Sequence, residues 1–93
     1  MYSTTSHHAA PTIARLPENL SALDRLKFNL CSQFVAYLID HQLSQKQLAE
    51  LLQVDPSRIN EIVKYRIHLY TIDRLLAWAE KLGIQSEMTF WED

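Results

Sequence analysis

The stretch 43–63, LSQKQLAELLQVDPSRINEIV, constrains this chain more than any other. It reads as a short helix, a sharp turn and a second short helix. Ser44 is placed to cap the first, its hydroxyl accepting from the backbone N–H of Lys46 or Gln47. Leu48, Ala49, Leu51 and Leu52 supply that helix's inward face, and it ends near Gln53. Asp55 caps the second, with Pro56 in its first turn, where a missing N–H costs nothing. Ile59, Ile62 and Val63 recur at spacings of three and four and form its buried side. Two helices joined this tightly need a small residue where they cross. Ala49 fills that place, and Leu48, Leu52, Val54, Ile59 and Ile62 lock the pair together.

The flanks extend a helical pattern. Residues 1–19 carry Pro11 and Pro17 and little periodicity, the signature of a flexible arm or a loosely docked lead-in. His7 and His8 have no convergent ligands around them and read as a solvated pair. Ser21 and Asp24 resemble a capping box, with Leu20 as its staple residue. Apolar residues then fall at Leu23, Leu26, Phe28, Leu30, Cys31, Phe34, Val35, Leu38 and Ile39. That pattern fits one long helix to about His41, or two pieces with a break near Lys27. So broad an apolar face suits burial against the domain and against a partner chain. Tyr65 to Tyr70 form a connector too short to force a strand. Thr71 caps a further helix from Ile72 to Leu82, closed by Gly83. Its core face is Ile72, Leu75, Leu76, Ala79 and Leu82. Trp78 belongs at an interface or at the core edge. The tail IQSEMTFWED has no helical face, and its aromatics call for a short returning strand or a second subunit. The expected organisation is an arm at 1–19, a domain at 20–83 and a tail at 84–93.

Ninety-three residues suit one domain, and 47% hydrophobic content is globular. One glycine, three prolines and no β-branched runs point to an all-α, compact four- to five-helix architecture. Cys31 is the only cysteine, which excludes an internal disulfide and a cysteine-based zinc site; its place in the helical pattern makes it a buried small hydrophobe. No metal or cofactor is called for. No 18-residue apolar window exists, so no membrane span is expected. The N-terminus lacks the basic-then-apolar order of a signal peptide, so the expected location is cytoplasmic. No paired carboxylates, Cys/His couple or Ser/His/Asp set sits in a supporting motif, so an enzyme is not expected.

The polar side of the second short helix is where function is expected. Its first turns present Pro56, Ser57, Arg58, Asn60 and Glu61. Arg pairs with guanine edges, Asn with adenine, and Glu accepts from cytosine N4. Ser57 suits a base or a phosphate. Gln45 and Lys46 open the preceding helix, where backbone N–H groups and side chains suit phosphate. Lys64 and Arg66 would extend the backbone contacts, and the hydroxyl of Tyr65 or Tyr70 would add one, although Val63 and Tyr65 also read as packing groups. Arg58 has an alternative partner in Glu61, three residues on. These residues predict sequence-specific binding of a double-stranded DNA operator. The electrostatics are weak for that role. Residues 43–70 carry Lys46, Arg58, Lys64 and Arg66 against Glu50, Asp55 and Glu61, while the chain as a whole is at −2. A homodimer would set two mildly basic faces side by side. The competing reading is a helical protein-interaction module without DNA.

Leu43-Ser44-Gln45, Leu48-Ala49, Leu52, Val54, Ile59 and Ile62 together resemble the helix-turn-helix domain of the phage-repressor-like family, the Cro/C1 or XRE type. The resemblance covers roughly residues 34–83. It implies a five-helix DNA-binding domain that dimerises on operators of two-fold symmetry. It places Gln45 at a glutamine that contacts DNA, Pro56, Ser57, Arg58, Asn60 and Glu61 where bases or adjoining phosphates are read, and Lys64 at a backbone contact. The chain departs from the family at Gln53, where glycine is usual and a left-handed residue costs about 1 kcal/mol. It departs again where Val63 and Tyr65 replace a Glu and a Gly, and at Pro56, which cannot hydrogen-bond a base edge. Leu26-Lys27-Phe28, Cys31 and Phe34, Pro56-Ser57-Arg58-Ile59 and Thr71-Ile72-Asp73-Arg74-Leu75 are similar to a subgroup of antitoxins paired with RelE-like or HigB-like ribonuclease toxins. That likeness implies a repressor of its own operon with a toxin partner; the sequence does not locate the toxin contact, for which the arm 1–19 and the tail 84–93 are the candidates.

Overall fold

The computed structural model describes residues 12–84. Among the described residues four α-helices follow one another: α1 Ala22–His41, α2 Gln45–Leu52, α3 Pro56–Val63 and α4 Ile72–Lys81, with a 3-10 turn at Ile67–Leu69. Among the described residues there is no strand, so the fold is all-α. The expected tail, beyond Ile84, lies outside the described residues, as do His7, His8 and Pro11.

α1 is one continuous helix with no break near Lys27. Its N-cap is Ser21, whose hydroxyl accepts from the Asp24 N–H at 3.1 Å. Phe28, Leu30, Cys31, Phe34, Val35 and Leu38 are buried along it. Leu23 and Ile39, assigned by pattern to the same face, are 48% and 49% exposed. Ile39 follows the buried Leu38 by one residue and is rotated about 100° off its line.

α1 packs on α3 and α4, and α2 packs on α3. The shared core is Leu30, Cys31, Phe34, Leu38, Leu48, Ala49, Leu52, Ile59, Ile62, Tyr70, Leu75, Trp78 and Ala79. Trp78 is therefore a core residue, its ring edge-on to Tyr70 with centroids 5.4 Å apart. Leu51 leaves the inward set expected for α2. It is 54% exposed, because the buried line runs through Leu48, Ala49 and Leu52. No polar or charged residue is buried among the described ones.

Three non-glycine residues turn the chain through left-handed backbone: Gln42, Gln53 and Tyr65, at φ of 54°, 60° and 59°. Each follows a helix and lets an N–H reach back to the helix's last carbonyls. At Gln42 and Gln53 the acceptors are Ile39 and Glu50. The turn into α3 thus has the left-handed backbone that a glycine would provide, with a side chain in place. Gly83, at φ +73°, does the same after α4 as expected.

Candidate nucleic-acid interface

α2 and α3 are eight residues each, too short to persist alone. Caps and burial hold them. Ser44 and Gln47 form a reciprocal capping box: the Gln47 N–H donates to the Ser44 hydroxyl at 3.0 Å, and the Ser44 N–H donates to Gln47 Oε1 at 2.8 Å. Asp55 caps α3 by accepting from the Ser57 N–H at 2.9 Å, with Pro56 in the first turn. That backbone hydrogen bond, with a second from the Ser57 side chain, holds the Asp55 carboxyl below its usual pKa. Ala49, 1% exposed, lies at the crossing, and Ile59 and Ile62 fill the underside of α3. At the far end of α2, the Lys81 ammonium donates to the Leu52 carbonyl at 3.2 Å. This satisfies one of the carbonyls a helix C-terminus leaves unpaired.

With Ile59 and Ile62 inward, helical geometry puts Ser57 and Lys64 at the crest of α3, Asn60 on one shoulder, and Glu61 and Arg58 on the other. Pro56, Ser57 and Lys64 are exposed, while Arg58, Asn60 and Glu61 are half-buried. The two shoulders are tied to different neighbours. Asn60 Nδ2 donates to Gln45 Oε1 at 3.3 Å, which links this shoulder of α3 to the start of α2. On the opposite shoulder Arg58 Nη1 donates to Glu61 Oε1 at 3.4 Å. The Tyr70 hydroxyl donates to that same carboxylate oxygen.

Tyr70 is 5% exposed. Burial, and next the neighbouring Glu61 carboxylate, push its hydroxyl up to about 12. The nearby Tyr70 oxygen and Glu61 raise the pKa of the Arg58 guanidinium above its already high value. Arg74, from the first turns of α4, joins Arg58, Glu61, Leu69 and Tyr70 around a notch at this edge, its guanidinium 5.4 Å from the Trp78 ring centre.

Of the residues singled out from sequence, Gln45, Pro56, Ser57, Arg58, Asn60, Glu61 and Lys64 belong to this one surface formed by α2 and α3. Lys46 is exposed beside Gln45, and Arg66 is exposed in the turn after α3. The two tyrosine hydroxyls are committed to partners within the chain. Tyr70 serves Glu61. Tyr65 accepts from the Ala14 N–H and pairs with the Ser32 hydroxyl, both at 3.0 Å. Its ring packs on Phe28 with centroids 4.4 Å apart. Tyr70 and Arg74 stand nine and thirteen residues beyond Glu61, and no spacing rule links them to α3. The fold alone brings them to its shoulder.

Two short, capped helices crossing at an alanine, the second presenting a polar crest, define a helix-turn-helix. A model of a helix-turn-helix domain family matches residues 13–90, most of the chain, and the chain belongs to that family. No curated protein and no solved structure matches the chain.

Proposed function

We propose that this protein is a sequence-specific double-stranded DNA-binding transcriptional regulator. The observation that carries this reading is the crest of α3. Ser57 and Lys64 face outward, with Asn60 half-buried on the shoulder beside them, while Ile59 and Ile62 anchor the helix across α2. A helix held in this way can lie in the major groove, with its first turns at the base edges. Pro56, Ser57, Arg58, Asn60 and Glu61 are its reading positions. Gln45, Lys46, Lys64 and Arg66 fix the register on phosphates. No helix among the described residues is long and apolar enough to cross a membrane.

The finer reading is a cytoplasmic dimeric repressor of the Cro/C1 or XRE type. Support for the dimer comes from the family likeness of residues 34–83, which implies dimerisation on operators of two-fold symmetry. Such a dimer also offsets the low positive charge of each single face. The antitoxin likeness of residues 26–34, 56–59 and 71–75 supports control of the protein's own operon and binding of a ribonuclease toxin.

The test is an electrophoretic shift and footprint on the DNA upstream of the protein's own gene, together with selection from random duplexes. Site-specific binding that weakens steeply with salt is the expected result. No selected sequence, with a protein partner co-purifying instead, would leave an interaction module in place of a regulator. Sedimentation equilibrium showing only monomer at tens of micromolar would remove the dimer.

A further inference from the structure

We infer that Glu61 is a positioning residue that aims Arg58, that Tyr70 sets Glu61, and that this shoulder of α3 reads guanine through Arg58 rather than cytosine through Glu61. The inference rests on the DNA-binding reading above and deepens it at one base pair. By residue type alone, Arg58 and Glu61 are independent readers of two different bases. Their arrangement makes them a single unit. Glu61 Oε1 accepts from both the Tyr70 hydroxyl and Arg58 Nη1. Oε1 is thereby committed within the protein, and a carboxylate that holds two donors is less free to turn its other oxygen toward a base amino group.

The anchor of the chain is rigid. Tyr70 is buried in the core, edge-on to Trp78, and directly precedes Thr71, the N-cap of α4. Order therefore passes from the α4 junction through the Tyr70 hydroxyl to the Glu61 carboxylate and then to the guanidinium. Arg58 remains partly exposed, with a side-chain accessibility of 43% against 29% for Glu61, so the guanidinium is the member of the unit that reaches solvent. An arginine already biased toward one geometry by this contact gives up less conformational entropy when it pairs with the two acceptors on a guanine edge.

The test compares base preferences after site selection for the unsubstituted chain and for Arg58→Ala, Glu61→Ala, Glu61→Gln and Tyr70→Phe. Arg58→Ala should lower discrimination at one G·C pair by about tenfold. Glu61→Ala should weaken preference at that same pair and at no other. Glu61→Gln keeps an oxygen acceptor and should restore most of it. Tyr70→Phe keeps the buried ring and should reduce preference at that pair by at least about threefold, with non-specific affinity and salt dependence unchanged. Glu61 variants that alter a base pair different from the Arg58 pair would overturn the inference in favour of direct reading by Glu61. Variants of Glu61 and Tyr70 that leave every preference intact would overturn it as well. If the unsubstituted chain selects no site, the parent reading falls and takes this one with it, an outcome distinct from specific binding with the wrong variant pattern.

Discussion

α1 and the α2–α3 pair reach stability by different routes. α1 runs for twenty residues, buries six side chains and has one side-chain cap at its start. α2 and α3 have eight residues each, with three and two buried side chains, yet both begin in well-formed caps and α2 also has its last carbonyl served by Lys81. The long helix supplies the wall of the core. The short helices, which carry the proposed reading surface, depend on a few local hydrogen bonds and a narrow apolar line. Their polar crest stays free because so little of each helix is needed to hold it down.

The largest way to break this contrast is at Ile59. Ile59→Ala removes a fully buried side chain from a helix with only one other, and should cost about 2–5 kcal/mol. Leu51→Ala, on an exposed leucine of α2, should stay within about 0.5 kcal/mol. Thermal unfolding of the two variants checks both, and comparable losses would show that the short pair buries more than its inner line.

Alkaline pH tests the other side of the comparison. Burial pushes the Cys31 thiol in α1 up to about 12 from 9.0, and Tyr70, at the foot of α4, to about 12 from 10.0. Both groups are protonated in the fold at a pH where the unfolded chain has lost the proton. The unfolded state then binds fewer protons, so stability is intact below pH 9 and falls as pH rises toward 12. Unfolding midpoints measured from pH 8 to 11 should drop steadily. Cys31→Ala should delay the onset, and an unchanged onset would remove the thiol from the account.

A cap comes next in size. Ser44→Ala deletes the hydroxyl that the Gln47 N–H donates to and should cost about 1 kcal/mol in urea unfolding. The smallest effects separate two residues with the same backbone. Gln53→Gly relaxes a left-handed position and should stabilise by up to about 1 kcal/mol. Tyr65→Gly relaxes the same φ but loses the Phe28 contact and two hydrogen bonds, so it should destabilise. A shift of the same sign in both would mean that strain alone governs these turns.

Much of this was legible in the chain. Ser44, Asp55 and Thr71 announce helix starts because capping is local chemistry, set by residues two or three apart. Ala49, Ile59 and Ile62 announce the crossing because helical period fixes a face. Leu51, Leu23 and Ile39 were misassigned for a related reason: period gives a sector, and only the packing partner decides how wide that sector is. At the proposed site the residue types on α3 were visible, but their division into two shoulders was not. The bond from Asn60 to Gln45 and the unit of Arg58, Glu61 and Tyr70 join side chains from separate elements, and no pattern along the chain encodes them.

Tyr65 has a consequence in time as well as in space. Its hydroxyl joins Ser32 and the Ala14 amide, partners 33 and 51 residues away in sequence. The caps of α2 and α3 can close as soon as their own turns form, whereas this three-way junction can close only once α1, the end of α3 and the lead-in have all met. It is a late-setting latch. A contact absent from the transition state slows unfolding without hastening folding. Tyr65→Phe should therefore accelerate unfolding in stopped-flow measurements while leaving the refolding rate where it was, and a slowed refolding limb would place the junction in the nucleus instead.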